Sequence, residues 1–479
     1  MTRADYPQIA DLARRPRSYS RRVATLPTRS AKKIRVQRAQ RDKKSIMADQ
    51  YAIRPISDAE YASFRRVHDH SFNSGPAPAA RWPRLLRQFE AERSLAAFDP
   101  ALPAGRGLVG TTGVYSFRMA VPGAVFPVAG VTAVSVLPTH RRRGILRSLM
   151  SRQIADIAAR GDEPIAALWA SETPLYGRYG YGRASSHAFF QFGRGEGALS
   201  ALAPADPSLT LGLAEPSEVV ADLTKVYDAV LSGQPGFFSR DEDWWERVLD
   251  DPAEERQGRS PLRCLLAADG HGVRGYALYR STPRWEEGTV LPDGVINVWE
   301  LIAADPAAGA ALWRDLLSRD LVGSVTADLR PADDPLLYQL HDSRRARVRV
   351  TDNLWVRIID LPTALARRAY SSPVDVVVEV TDGLLPANAG RWRLRTAGPG
   401  GAAGISDGAG ISGAADCART DEAADIALDV RELGAAYLGG TRLAALAAAG
   451  LIRELRPGAV GRLSTAMSWD PAPWCPRIF

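Results

Sequence analysis

Arg141-Arg142-Arg143-Gly144 is the stretch of this chain best suited to chemistry. Upstream, residues 131–136 (Val-Thr-Ala-Val-Ser-Val) are apolar, β-branched and bounded by Gly130, which reads as a strand. Downstream, Ile145, Leu146, Leu149, Met150, Ile154 and Ile157 recur at helical spacing with one apolar face. The first N–H groups of such a helix have no partner within it and lie at the positive end of its dipole. Guanidinium groups beside them, and a glycine that lets a ligand approach the backbone, make a site for a phosphate-bearing anion. A basic surface turn without function is the competing reading of the same residues.

A second stretch narrows the choice. Residues 164–171 read as a buried strand that leads into Glu172-Thr-Pro-Leu-Tyr176-Gly-Arg-Tyr179-Gly180-Tyr181-Gly182. A phenol held near a leaving group can serve as a general acid, and Tyr176, Tyr179 and Tyr181 all stand close to this turn. The order strand, anion loop, helix, strand, tyrosine loop resembles that of the GNAT acyltransferases. Their acetyl-CoA loop reads Arg/Gln-x-x-Gly-x-Gly/Ala; here it is Arg141-Arg142-Arg143-Gly144-Ile145-Leu146, with Leu146 in place of the last small residue. Together with Tyr176…Gly180-Tyr181 and a chain ending in Phe479, the pattern resembles the enhanced intracellular survival (Eis) N-acetyltransferase family of actinobacteria, over residues 48–479.

That resemblance implies an N-acetyltransferase that uses acetyl-CoA as co-substrate. The acceptor it implies is a primary amine of a polyamine-like molecule, an aminoglycoside or a lysine side chain. Tyr176 becomes the proton donor to the leaving thiolate, with Tyr179 and Tyr181 structural. The terminal carboxylate of Phe479 becomes the proton acceptor. A free terminal carboxylate titrates near ~3.3–3.7, so it must be desolvated or act through water; Trp474, Pro476 and Ile478 are compatible with burial. By the same correspondence Val134, Ser135 and Val136 contact the acetyl-pantetheine arm, and a splayed or bulged strand there frees an N–H for the acetyl carbonyl. Arg142, Arg143, Gly144, Ile145, Leu146 and Arg147 form the phosphate side, and Ser171 and Glu172 reach the cofactor. A polycationic acceptor calls for an acidic cleft, whereas Ile478 and the small Ala133 speak against an aminoglycoside preference. Trp82 is read as an aromatic wall or as core. A non-catalytic lipid- or partner-binding protein with a relic CoA site is the competing function.

The elements that must carry these residues follow from the rest of the chain. Its length of 479 residues suggests about three domains at roughly 150 residues each. Residues 1–46 hold 14 Lys/Arg and 3 Asp, a charge of +11, which leaves −4 for the remainder of the +7 total. Residues 1–47 are therefore expected to be a disordered basic tail or a mis-assigned start, because Met47 opens a natural first strand. Nucleic-acid binding is not expected of it.

Residues 48–200 form the catalytic domain, with a helix over 82–93, a hairpin around Val121-Pro-Gly-Ala and a closing strand over 187–193. Residues 201–360 repeat a strand–turn–helix plan around Asp305-Pro306 without the arginines. This is read as a degenerate GNAT-like domain, with Trp244, Trp245 and Trp313 as core or interface residues. Residues 361–479 include a Gly/Ala/Ser-rich flexible loop over 396–415 and helices over 431–438 and 441–455. The resemblance makes this a sterol-carrier-like domain that delivers the chain terminus to the first. The fold class is thus α/β (α+β): two tandem GNAT-like domains plus a sterol-carrier-like α/β domain.

No run of 18 apolar residues exists, so no membrane span is expected. No signal peptide is read either, and three scattered cysteines fit a reducing cytoplasm. No metal site is expected from the six histidines. A homohexamer is implied by the resemblance alone.

Overall fold

Helices interrupt the strands of the first sheet after its first, fourth and fifth strands. In chain order these strands are Ala52–Pro55 (β1), Leu95–Phe98 (β2), Leu108–Val121 (β3), Ala124–Val136 (β4), Ile165–Trp169 (β5) and Gly182–Arg183 (β6). The computed structural model describes residues 50–78, 81–103, 105–288, 290–398 and 415–479. The basic tail, and all but the edges of the loop over 396–415, lie outside the described residues.

The hairpin at 121–124 closes as its turn residues require, pairing Val121 with Ala124. The helix Ile145–Arg160 follows β4 and buries Ile145, Leu149, Met150, Ile154 and Ile157, the face set by its apolar spacing. The helix that starts at Trp82 stops at Arg87, short of the expected 93, and the chain makes a separate 3₁₀ turn at Ala91–Arg93.

Two strands cross between the tandem domains. The strand Ser186–Gly193 (β7) does not close the first sheet as expected. It lies in the second, between Val322–Pro331 and Arg349–Asp352. In return Leu354–Ile358 enters the first sheet between β5 and β6. The second sheet continues through Gly294–Ala303, Gly272–Thr282, Arg263–Asp269 and Thr210–Ala214. Its Asp305 caps the helix Pro306–Ser318, accepting from the amides of Ala307 and Ala308 at 2.9 and 3.0 Å.

The third domain has a five-stranded sheet and shares one buried cluster with the first. Arg357, on the strand donated to the first sheet, is fully buried and paired with Asp382 at 2.6 Å. The helix Val430–Ala436 presses against β6 so closely that a methyl on Gly182 would stand 2.1 Å from the Arg431 carbonyl oxygen. The helix expected over 441–455 is shorter, Leu443–Ala448. Gly450 takes φ +77°, where the helix cannot continue, and Arg453–Glu454 pairs at the sheet edge.

The last residues leave this domain and run between the other two. The Ala472 amide donates to Asp333 at 3.0 Å and the Trp474 amide to the Pro235 carbonyl at 2.9 Å. Buried Asn353 clamps Cys475 from both sides, accepting from its amide at 3.2 Å and donating to its carbonyl at 3.0 Å. Each bond satisfies a main-chain group that burial would otherwise leave unpaired.

Candidate active site

Strand β4 breaks its own regularity in the middle. Thr111 pairs with Ser135 and Gly113 with Thr132, so Ala133 and Val134 stand opposite Thr112 alone. This is a β-bulge. Ala133 adopts φ +50°, and its carbonyl accepts from Thr111 Oγ1 at 2.7 Å. On the other side, pairing with β5 is confined to Ala129–Ala166 and Gly130–Ala167. Beyond Gly130 the two strands part, and the β5 side of residues 131–136 has no ladder partner. The splayed, bulged strand expected at Val134, Ser135 and Val136 is therefore present. Ser135 Oγ is buried there with no hydrogen-bond partner among the described residues.

The anion loop follows directly. After a 3₁₀ turn at Pro138–His140, Arg142 and Gly144 take positive φ (66° and 91°) and the helix begins at Ile145. Arg141, Arg142 and Arg147 are exposed and, among the described residues, bind no side chain. Arg143 is turned away from this group: it donates to Tyr51 Oη and to the Thr139 carbonyl, both at 3.1 Å. Ile145 is buried in the core and Leu146 packs against the same interior as Tyr176. Their backbone amides, not their side chains, face the helix N-terminus.

Tyr176 ends a one-turn helix, Thr173–Tyr176, after β5. It is buried against Ala129 and Val131 of β4, with Met150 and Tyr181. Burial pushes its phenol above the ordinary value; a hydrogen bond with Ser171 pulls it back and the nearby Glu172 charge adds to the rise. Ser171 and Glu172 themselves are exposed at the mouth of this turn. Tyr181 is fully buried, its hydroxyl has no partner among the described residues, and desolvation drives its phenol well upward. Tyr179 is buried too and shifted the same way by the same cause.

Phe479 reaches the same strand. Thr132 Oγ1 donates to its terminal oxygen at 3.2 Å. Its ring packs edge-on against Phe117 and Phe238, at 5.1 and 5.0 Å between centroids. Gly130 makes room: a methyl there would stand 2.3 Å from the Phe117 ring and 3.3 Å from that of Phe479. Successive strand residues face opposite ways. Tyr176 packs on the face of Ala129 and Val131, and Phe479 meets that of Gly130 and Thr132. The phenol and the carboxylate thus bracket β4 where β5 leaves it.

A pocket opens beside the terminus. Phe117, Tyr227, Phe238, Trp244, Arg240 and Arg477 are among its lining residues, and no aspartate or glutamate is. The acidic cleft expected for a polycationic acceptor is not what the chain builds here. Trp244, read as a core or interface residue, packs across on Tyr115 and Phe117 of the first domain and also lines this pocket. Trp245 and Trp313 are buried core, as read. Trp82 packs edge-on against Tyr61. Thr132, Phe117, Phe238 and Arg477 escaped the sequence reading, because isolated aromatics and a threonine in a strand carry no local signal. No cluster of metal-binding side chains occurs among the described residues, and no helix there is long and apolar enough to cross a membrane.

Comparison with known proteins agrees with the three-domain architecture. Residues 52–184 and 236–358 each match an acetyltransferase (GNAT) domain, and 361–476 match a sterol carrier protein domain. The chain is 42% identical over 423 residues to an uncharacterised N-acetyltransferase of Streptomyces coelicolor, covering 88% of this chain and 97% of that protein. It is 34% identical over 403 residues to the N-acetyltransferase Eis of Mycobacterium tuberculosis, covering 83% and 91%. Among solved structures, Eis1 from Mycobacterium abscessus superposes with a TM-score of 0.70 at 32% identity, covering 89% of this chain and all of that one.

Proposed function

Because the chain belongs to the Eis family of GNAT N-acetyltransferases, we propose that it takes acetyl-CoA as donor and a primary amine as acceptor, with Tyr176 and the Phe479 carboxylate as its proton-handling groups. The observation that carries this reading is the hydrogen bond from Thr132 to the chain terminus beside the β4 bulge. Acetyl-CoA, when bound, supplies an activated thioester. Arg141, Arg142, Arg147 and the first amides of the helix Ile145–Arg160 hold its phosphates. The bulge at Ala133–Val134 offers a main-chain N–H to the carbonyl oxygen that gains charge in the transition state.

At neutral pH the acceptor arrives as an ammonium. The Phe479 carboxylate takes a proton from it, and the Phe117 and Phe238 rings against Phe479 keep water from that side. The nitrogen then bonds to the acetyl carbon as the carbon–sulfur bond breaks. Tyr176 gives its phenolic proton to the departing thiolate. Of the two protons the nitrogen yields, one replenishes Tyr176 and the other leaves to solvent through the terminus.

The lining residues support an acceptor whose amine rides on an apolar or aromatic body. Apart from the Phe479 terminus they supply no carboxylate of the kind an aminoglycoside or another polyamine calls for. The free cysteines, Cys264, Cys417 and Cys475, support a cytoplasmic setting, and the homohexamer implied by the resemblance belongs to the same proposal; light scattering reads it directly. The test is release of CoA thiol from acetyl-CoA with a panel of amines. Amine-dependent release that is lost in Tyr176→Phe supports the reading; release no faster than background hydrolysis with every amine overturns it.

A further inference from the structure

The two arginines that line the pocket beside Phe479 are held differently. Arg240 is neutralised by Glu300, which accepts from both guanidinium nitrogens at 2.9 and 2.6 Å and from Tyr276 Oη at 2.7 Å. Arg477 has no such partner. Its Nη2 reaches only the carbonyls of Arg247 and Val248, both at 3.4 Å, and its guanidinium lies over Trp299 at 4.8 Å. Arg247 donates to Tyr115 Oη at 3.1 Å and lies over Trp244 at 4.7 Å. Among the described residues neither arginine forms an ion pair with an acidic side chain or with the chain terminus. A half-buried guanidinium without a counter-charge favours any anion that can reach it. Burial already holds Arg477 below its usual range, at about 10; Glu300 opposes this shift while Arg240, Arg247 and Arg280 add to it.

Resting on the functional reading above, we propose that the acceptor is a primary amine built on an aromatic ring and carrying a carboxylate. The ring packs against the aromatic wall that Phe117, Phe238 and Trp244 form. The carboxylate pairs with Arg477 beside Arg247, and the amine faces the Phe479 terminus. Attraction at one end and an aromatic wall between give the selectivity, and the same arginines repel a polycation.

Matched substrates test this with the full-length protein at saturating acetyl-CoA. 4-(Aminomethyl)benzoate is compared with 4-(aminomethyl)benzamide and benzylamine. The expected kcat/KM for the carboxylate is about tenfold above that of the amide, carried chiefly by KM, and the advantage shrinks as NaCl rises. Arg477→Gln is expected to bring the carboxylate-to-amide ratio close to one, and Arg477→Lys to keep part of it. An amide as good as the carboxylate, or a ratio that persists in a well-folded Arg477→Gln protein, overturns the proposal while the enzyme reading stands. Failure of all three amines in a protein that acetylates other amines of the panel overturns this proposal alone; failure with every amine overturns both.

Discussion

Thr132 Oγ1 donates a 3.2 Å hydrogen bond to the terminal carboxylate of Phe479, 347 positions further along the chain. The strand that carries the bulge at Ala133–Val134 therefore also holds Phe479. Every domain contributes to that contact: the first supplies β4, the second supplies Phe238 and Trp244, and the third launches the tail.

Removing the donor tests how firmly the terminus must be held. Thr132→Val keeps the shape of the side chain and deletes a hydrogen bond to a charged group, worth about 1.5–3 kcal/mol. We expect kcat to fall about tenfold, with KM for acetyl-CoA nearly unchanged and the melting temperature lowered by only a few degrees. Steady-state kinetics and a thermal melt read both quantities.

Tyr176→Phe removes the general acid without opening a cavity. Such groups contribute about 10²–10⁴-fold, and a fall of that order in kcat is expected. Because burial raises the phenol above its ordinary value, near ~10, Tyr176 stays protonated across the neutral and mildly alkaline range. The wild-type kcat is therefore expected not to decline between about pH 7 and pH 9 through loss of this proton. For stability the sign is the same: the neutral phenol is favoured in the folded state, and its contribution is lost only as pH rises past the unfolded value. A pH–rate profile of both proteins checks this.

In the proposed function the exposed arginines of the anion loop hold the donor, not the reacting atoms. Arg141→Ala with Arg142→Ala should raise KM for acetyl-CoA by about tenfold or more while leaving kcat within about twofold. The KM of the parent should also climb with salt more steeply than that of the double variant. Initial rates over an acetyl-CoA series at two NaCl concentrations decide it.

Asp382 is expected to matter out of proportion to its distance from the pocket. Its partner Arg357 is wholly buried, and a methyl on Gly180 of the tyrosine loop would stand 2.8 Å from that guanidinium. Asp382→Asn leaves an uncompensated buried charge, a loss of about 3–5 kcal/mol. Denaturant unfolding should show it, with reduced activity in the same variant because the tyrosine loop rests on Arg357.

Local patterning made much of the catalytic domain readable. The 131–150 segment states its strand, turn and helix in apolar period and charge, and the structure follows it, except that the strand does not begin after Gly130 but runs on from Ala124. What the chain does not declare is pairing at long range. Ser186–Gly193 and Leu354–Ile358 are equally apolar, and nothing in either says which sheet it joins. The strand Leu354–Ile358 is also covered by the third domain, whose helix Val430–Ala436 lies on Gly182 and Val356, a contact that no local pattern announces. The pocket was hidden for the same reason. Phe117, Phe238, Trp244 and Arg477 come from three separate regions, and the carboxylates a polycation calls for were expected from likeness, not from any residue.

The central claim is that the terminal carboxylate accepts the proton of the incoming amine. Semisynthesis that converts the Phe479 carboxylate to a carboxamide changes that group alone, adding no bulk to a terminus packed on Thr132, Phe117 and Phe238. The account predicts that kcat for benzylamine falls about 100-fold or more while stabilisation by acetyl-CoA in a thermal melt is retained. Equal turnover by the amidated and native proteins would contradict it.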